Sequence, residues 1–306
     1  MVALIFPGQG SQFVGMGKDL ADAFPVARNI FQEADDVLGV KLSEIMWQGP
    51  EEELTRTHNA QPAILTHSIA VHRLLAEHLP EIRCAAGHSL GEFSAYVAAG
   101  AMSFADAVRT VRRRGELMLR AGQERTGTMA AILGMEDADL ERVCMEASAQ
   151  GGEVVPANYN APGQLVISGD VPSVQNAMAL AKQAGAKKAV LLNVSGAFHS
   201  PLMQAAEAGL HVQLDTVELK RPMFPVVSNV TAQPVTDVVD ARRLLIQQLT
   251  SPVRWTACVR TMIAEGATEL LELGPGNVLS GLMKRIDKSV KARAVGTADE
   301  VNAWPS

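Results

Sequence analysis

Gly87-His88-Ser89-Leu90-Gly91 sets a serine between two glycines in the G-x-S-x-G pattern. In that pattern the serine occupies a sharp turn between a strand and a helix, where its hydroxyl is exposed and can attack a carbonyl. The neighbours agree: Cys84-Ala85-Ala86 suits a short buried strand, Leu90 to Ala99 a helix, and Gly100 its stop. A serine hydroxyl is a poor nucleophile until a base takes its proton. Seven histidines are available. His67, His72 and His78 fall within or beside a predicted helix and read as packing or surface residues. His88 adjoins the serine, but neighbours on an elbow point in different directions. His199 sits in Ser195-Gly196-Ala197-Phe198-His199-Ser200-Pro201, a small-residue loop after a strand and before a helix. Catalytic residues favour such loops, so His199 is the best of several candidates.

Two further segments carry polar groups of use to acyl chemistry. Gly8-Gln9-Gly10-Ser11-Gln12 follows the first predicted strand. It lacks the G-x-G-x-x-G spacing, since position 13 is Phe, and it lacks the Gly-Lys-Ser/Thr end of a phosphate loop. What remains is a glycine turn that aims backbone N–H groups and Gln9 above the sheet, where such donors can stabilise an oxyanion; a plain polar turn is the other reading. In Arg112-Arg113-Arg114, helical spacing separates the three side chains. Phe104, Val108, Val111, Gly115 and Met118 trace one apolar face, and Arg114 lies on its edge. An arginine there needs an anionic partner, because an unpaired buried charge is costly. That partner is either an internal Asp or Glu, or a substrate carboxylate held by two parallel hydrogen bonds.

The elements that must position these groups follow from the apolar pattern. Val2 to Phe6 reads as a strand buried on both faces, so structure is expected from the first residues, without a signal peptide. Helices are expected over Phe24 to Leu38, Pro62 to Leu79 and about Phe104 to Ala121. Between Thr128 and Val194 the order changes. Strand (Met129 to Leu133), helix (Asp137 to Gln150), two strands (Val154 to Ala157, Leu165 to Ser168), helix (Val171 to Ala184) and strand (Lys188 to Val194) make βαββαβ, the ferredoxin-like pattern. The two middle strands are joined around Asn160-Ala161-Pro162-Gly163. Further strands are expected near Met223 to Val227 and Glu269 to Leu273, and the tail after about Thr297 is weakly patterned and expected to be loose. The fold class is α/β: a large subdomain over 1–126 and 196–306, with a ferredoxin-like subdomain inserted over 127–195.

The 306 residues carry a net charge of −6, with 47% hydrophobic and 20% charged residues, ordinary values for a globular protein. General nucleic-acid affinity needs a basic footprint and is not expected. No apolar run is long enough for a membrane span. Cys84, Cys144 and Cys258 are far apart and form no C-x-x-C, so neither a disulfide framework nor a zinc site is expected, and a reducing, cytoplasmic address fits.

Phe6-Pro7-Gly8-Gln9-Gly10-Ser11-Gln12, Gly87-His88-Ser89-Leu90-Gly91-Glu92, Arg114-Gly115, Ala197-Phe198-His199-Ser200 and Gln248-Leu249-Thr250-Ser251-Pro252-Val253 occur in this order. With these motifs the chain resembles the malonyl-CoA:acyl carrier protein transacylase family over nearly its whole length. The resemblance implies an α/β-hydrolase-like core with a ferredoxin-like insert. It implies Ser89 as nucleophile and His199 as general base, oriented by the main-chain carbonyl of Gln248 rather than by an acid. It implies an oxyanion hole from Gln9 and the Leu90 N–H, and Arg114 as the clamp on the malonyl carboxylate. Asn158 and Asn160 match positions lining the cleft for CoA or carrier, and Phe198 goes with malonyl over methylmalonyl. Malonyl-CoA is then a substrate, acyl carrier protein the partner, no cofactor or metal is held permanently, and a monomer is expected.

The carrier partner of this family is usually acidic, so a local basic patch is expected among Arg112, Arg113, Lys187, Lys188, Lys284 and Arg285. Three other readings compete. A serine thioesterase or other hydrolase on the same elbow would prefer an acid behind its base and has no need of Arg114. An acyltransferase serving a polyketide synthase in trans, or a malonyl-transfer subunit of malonate decarboxylase, would keep the chemistry and change the pathway. A carrier-binding scaffold with a dead site is disfavoured, since every expected catalytic residue is present.

Overall fold

A computed structural model describes residues 1–305 of the chain. Its strands in chain order are β1 (Val2–Phe6), β2 (Ile82–Gly87), β3 (Gly127–Leu133), β4 (Val154–Ala161), β5 (Gln164–Asp170), β6 (Lys188–Leu191), β7 (Val226–Val227), β8 (Pro234–Val235), β9 (Glu269–Leu273) and β10 (Lys291–Val295). The side-chain period of two splits β1 between two cores. Val2, Leu4 and Phe6 pack with Ile64, Tyr96 and Val108 on one face. Ala3 and Ile5 pack with Trp255, Val259 and Leu282 on the other. Covering both faces is what makes the whole strand apolar.

The larger sheet runs in the order β10-β9-β1-β2-β7-β8. All its pairings are parallel except that of β7 with β8. β1 and β2 are neighbours in register at Phe6 and Gly87. The loops that follow them, beginning at Pro7 and His88, therefore open side by side at the carboxyl edge, where open α/β sheets hold their ligands. The smaller sheet is antiparallel, in the order β4-β5-β3-β6. With the helices Asp137–Ala149 and Val171–Gln183 it encloses a third core, and its βαββαβ order is ferredoxin-like. Asp170 caps the second of these helices by accepting from the Ser173 N–H.

The sheets also meet by hydrogen bonds. The Tyr159 N–H donates to the Val253 carbonyl at 2.9 Å, and the Val253 N–H donates to Ala157 at 2.8 Å. Edge strand β4 is thus tied to the segment just downstream of Gln248.

Several expected boundaries moved for physical reasons. The helix placed at Pro62–Leu79 runs from Thr57 to Leu75, with Pro62 inside it. Proline offers no N–H to the carbonyl one turn back. That carbonyl, on His58, accepts from Arg112 Nη1 at 3.2 Å instead. β4 continues through Ala161, so the turn narrows to Pro162-Gly163, with Gly163 at φ 70°. β6 ends at Leu191 instead of Val194, and Asn193 and Val194 turn away to line a cavity. The strand expected over Met223 to Val227 is only Val226–Val227.

The tail is not loose. Thr297 and Glu300 form a capping box on the helix Ala298–Asn302. Asp19 accepts from the Ala298 N–H at 2.7 Å, and the Arg293 guanidinium stacks 4.0 Å from the Trp304 ring. No helix among the described residues is long and apolar enough to cross a membrane.

Candidate active site

Ser89 stands at φ 50°, in the left-handed region that L-residues avoid. The flanking glycines permit the turn. A Cβ on Gly87 would lie 1.8 Å from the Gly91 carbonyl carbon, and one on Gly91 would lie 2.2 Å from the Phe6 oxygen. The strained turn is also braced from outside. The Asn229 side chain accepts from the Ser89 N–H at 2.7 Å and donates to the Gly87 carbonyl at 2.8 Å. Both backbone groups of the elbow are thereby satisfied in a buried setting.

His199 also has a positive φ, 57°, and its ring meets the serine: Nε2 lies 2.8 Å from Ser89 Oγ. Nδ1 lies 2.9 Å from the main-chain oxygen of Gln248. A carbonyl only accepts, so Nδ1 carries the proton and Nε2 is left free to accept from the serine hydroxyl. Burial pushes the His199 pKa down to about 3, and the positive charge of Arg114 adds to the shift. The imidazole is therefore neutral at ordinary pH.

Arg114 is 1% exposed. Its Nη1 donates to Gln61 Oε1 at 2.8 Å, and its Nη2 donates to Gln248 Oε1 at 2.9 Å and to Ser89 Oγ at 3.0 Å. Nε has no partner. No carboxylate among the described residues lies within ion-pair distance of the guanidinium, and Glu92 reaches it only through the Gln248 amide. Burial brings its pKa down to about 10, and the nearby Glu92 charge opposes that shift.

Ser89, His199 and Arg114 line one cavity of about 350 Å³ with Gln9, Leu90, Asn158, Asn160 and Phe198. All the site residues expected from sequence converge here except Gln248, which stands behind His199 and Arg114. The Gln9 side chain donates to Thr57 Oγ1 at 3.3 Å. The backbone N–H groups of Gln9 and Leu90 have no acceptor among the described residues. Asn160 Oδ1 is 2.8 Å from His88 Nε2, so His88 braces the wall of the cleft and does not join the serine.

Sequence reasoning missed Asn229, Gln61, Thr57 and the role of Glu92. Asn229 stands in an unremarkable Ser-Asn-Val stretch. Glu92 belongs to the elbow motif but points away from the cavity, and only three-dimensional packing connects it to the site. Of the basic residues, Arg112 and Arg113 are engaged with Glu116 at 3.1 and 3.4 Å. Lys187, Lys188 and Arg285 instead border a separate surface cavity of about 520 Å³. Among the described residues, no group of three or more His, Cys, Asp or Glu side chains could hold a metal ion.

The sequence pattern of the acyl transferase domain matches residues 3–300. The chain belongs to the acyl transferase family. This acyltransferase is 49% identical to the malonyl CoA-acyl carrier protein transacylase of Bacillus subtilis, over 98% of its own length and 95% of that protein's. It is 46% identical to the Escherichia coli K12 protein of the same name, over 96% and 95%. Among solved structures it resembles an acyl carrier protein S-malonyltransferase from Vibrio cholerae, with a TM-score of 0.95, 45% identity and 99% of each chain covered. It resembles equally, at TM-score 0.95 and 45% identity over 98% and 97% of the chains, a malonyl-transacylase solved in complex with a type II PKS acyl-carrier protein.

Proposed function

We propose that this acyltransferase moves a malonyl group from malonyl-CoA to the phosphopantetheine thiol of an acyl carrier protein, through a malonyl ester on Ser89, and so supplies fatty acid synthesis. The observation that carries the reading is Arg114. A fully buried guanidinium with no carboxylate in direct contact among the described residues stands 3.0 Å from the nucleophilic oxygen. An acyl group ending in a carboxylate supplies the missing anion, and the planar fork matches it.

The steps follow from the geometry. Ser89 Oγ attacks the thioester carbonyl while Nε2 of His199 takes its proton. The oxygen that becomes negative faces the unengaged N–H groups of Gln9 and Leu90. Collapse breaks the C–S bond, and the imidazolium returns the proton to the departing CoA sulfur. In the second half the carrier thiol gives its proton to His199 and attacks the ester, and Ser89 leaves with that proton. Seating a carboxylate on Arg114 offsets the second largest of the causes that hold the imidazole pKa down, after burial. His199 then becomes a better base when a carboxylated acyl group is bound.

Phe198 narrows the space beside the acyl α-carbon, and Asn158 and Asn160 line the path of the pantetheine arm. The exposed Lys187, Lys188, Lys284 and Arg285 form the face for an acidic carrier. We divide the chain into a catalytic subdomain, 1–126 with 196–306, and a small subdomain, 127–195, working as a monomer without a resident cofactor. Three free, buried cysteines support a reducing, cytoplasmic setting.

The test is intact-protein mass spectrometry after mixing with malonyl-CoA. One malonyl group is expected on Ser89, and adding holo carrier protein should move it to the carrier. Rapid release of free malonate with no malonyl-carrier would instead identify a hydrolase.

A further inference from the structure

Glu92 is a carboxylate with no part in the chemistry described above. It lies in the first turn of the helix after the elbow and is 0% exposed. Its Oε2 accepts from Gln248 Nε2 at 2.7 Å and from the Asn229 N–H at 3.1 Å, while Oε1 has no partner among the described residues. The Gln248 side chain spans from this carboxylate to the cation: Nε2 donates to Glu92 and to the Ser89 carbonyl at 3.0 Å, and Oε1 accepts from Arg114. The amide has only one workable orientation. Turned over, it would set its NH₂ against a guanidinium and its oxygen against a carboxylate, leaving both contacts unsatisfied in a buried site. The same residue's main-chain oxygen orients His199.

We propose that Glu92 is a positioning residue which, through the Gln248 amide, holds Arg114 in place for the acyl carboxylate and so sets acyl selectivity. What Glu92 supplies is an acceptor at Oε2. With that acceptor gone, Gln248 Nε2 keeps only the Ser89 carbonyl at 3.0 Å and Asn229 Oδ1 at 3.4 Å, so the amide is held less firmly and the oxygen it offers the guanidinium beside Ser89 is less fixed. The inference rests on the reading of Arg114 as the carboxylate clamp.

The experiment measures the rate of acyl-enzyme formation with malonyl-CoA and with acetyl-CoA, and takes the ratio of the two. A folding defect alone lowers the active fraction and leaves that ratio unchanged. Glu92→Leu should lower the ratio about 10- to 100-fold, the scale of one charge-assisted hydrogen bond. Glu92→Gln keeps an amide oxygen for the same two donors and should hold the ratio within about threefold of wild type. Gln248→Met removes the side-chain link, keeps the main-chain carbonyl, and should match Glu92→Leu; it carries the test alone if the leucine variant does not fold. A wild-type ratio in Gln248→Met or in folded Glu92→Leu overturns the inference. So does a Glu92→Gln variant as impaired in ratio as the leucine one. Arg114→Ala separates the two readings. If it too leaves the ratio unchanged, the clamp itself is wrong; if it alone collapses the ratio, only the role of Glu92 fails.

Discussion

Replacing Arg114 with alanine removes three contacts of different kinds. Gln61 Oε1 and Gln248 Oε1 lose donors, and Ser89 Oγ loses a donor at 3.0 Å. Those losses fall on every acyl donor alike. The bond to a substrate carboxylate is lost only with malonyl-CoA. A buried, hydrogen-bonded charge pair broken from one side costs roughly 2–5 kcal/mol. At about 1.4 kcal/mol per factor of ten, the extra loss for malonyl over acetyl transfer is about 30-fold to several thousand-fold. The substitution also acts on the base. Arg114 is the second cause of the low His199 pKa, after burial, so without it that pKa rises from about 3. Activity needs the neutral imidazole, which is present above the pKa and lost as pH falls through it. The acid limb of the acylation rate should therefore move to higher pH in the variant. Stopped-flow or quench measurement of the acyl-enzyme burst, with both donors from pH 4 to 8, reads both effects. Equal losses with malonyl-CoA and acetyl-CoA would show that Arg114 is a structural residue, and the argument for a carboxylated substrate would fall.

Ser89→Ala should give no acyl-enzyme by mass spectrometry; a malonyl adduct on that variant would mean another nucleophile. Gly91→Ala forces a methyl to 2.2 Å from the Phe6 carbonyl oxygen, so the elbow must shift. Displaced reacting groups cost about 100-fold in rate, and an unchanged burst would refute the close fit. Phe198→Ser opens the cavity wall and should raise the methylmalonyl-to-malonyl transfer ratio; an unaltered ratio would remove Phe198 from selectivity. Burial holds His67 at a pKa of about 4, against 6.5 for an ordinary histidine. As pH falls below about 6.5, the unfolded chain takes up this proton first. Its share of stability is thus full above 6.5 and lost toward 4, at up to about 1.4 kcal/mol per pH unit. Urea midpoints should fall less steeply over that range in His67→Gln, and parallel slopes would count against the buried neutral ring.

Much of the site was legible because its residues sit where local pattern is strong. Ser89 lies in a glycine-flanked turn, His199 in a small-residue loop, and Arg114 on the edge of a helix face whose apolar members are all buried. The ferredoxin-like order could be read from alternating short strands and helices. What pattern could not carry was the support behind these groups. Asn229 reaches the elbow across 140 positions of sequence, and Glu92 meets Gln248 across 156. Neither contact has a local signature. The misplaced helix start has the same origin: Pro62 looks like a first-turn residue, and only the distant Arg112 makes an interior position tolerable. The tail looked loose because its few apolar residues, Ala298, Val301 and Trp304, make no long pattern, and part of its order comes from the distant Asp19 and Arg293.

The bonds between Tyr159, Ala157 and Val253 bear on how the enzyme turns over. The chain crosses between the two sheets twice, before β3 and after β6, and two strand crossings alone would leave a flap free to swing. The Val253 bonds, with those of His88 to Asn160 and Thr256 to Tyr159, brace it further, as extra legs steady a stool. The segment that Val253 belongs to runs back to the Gln248 carbonyl, so any rocking of the small sheet would disturb the direction of the His199 imidazole. A swing of the small sheet would therefore break the bonds of Val253 to Ala157 and Tyr159 and at the same time pull on the carbonyl that aims the His199 ring.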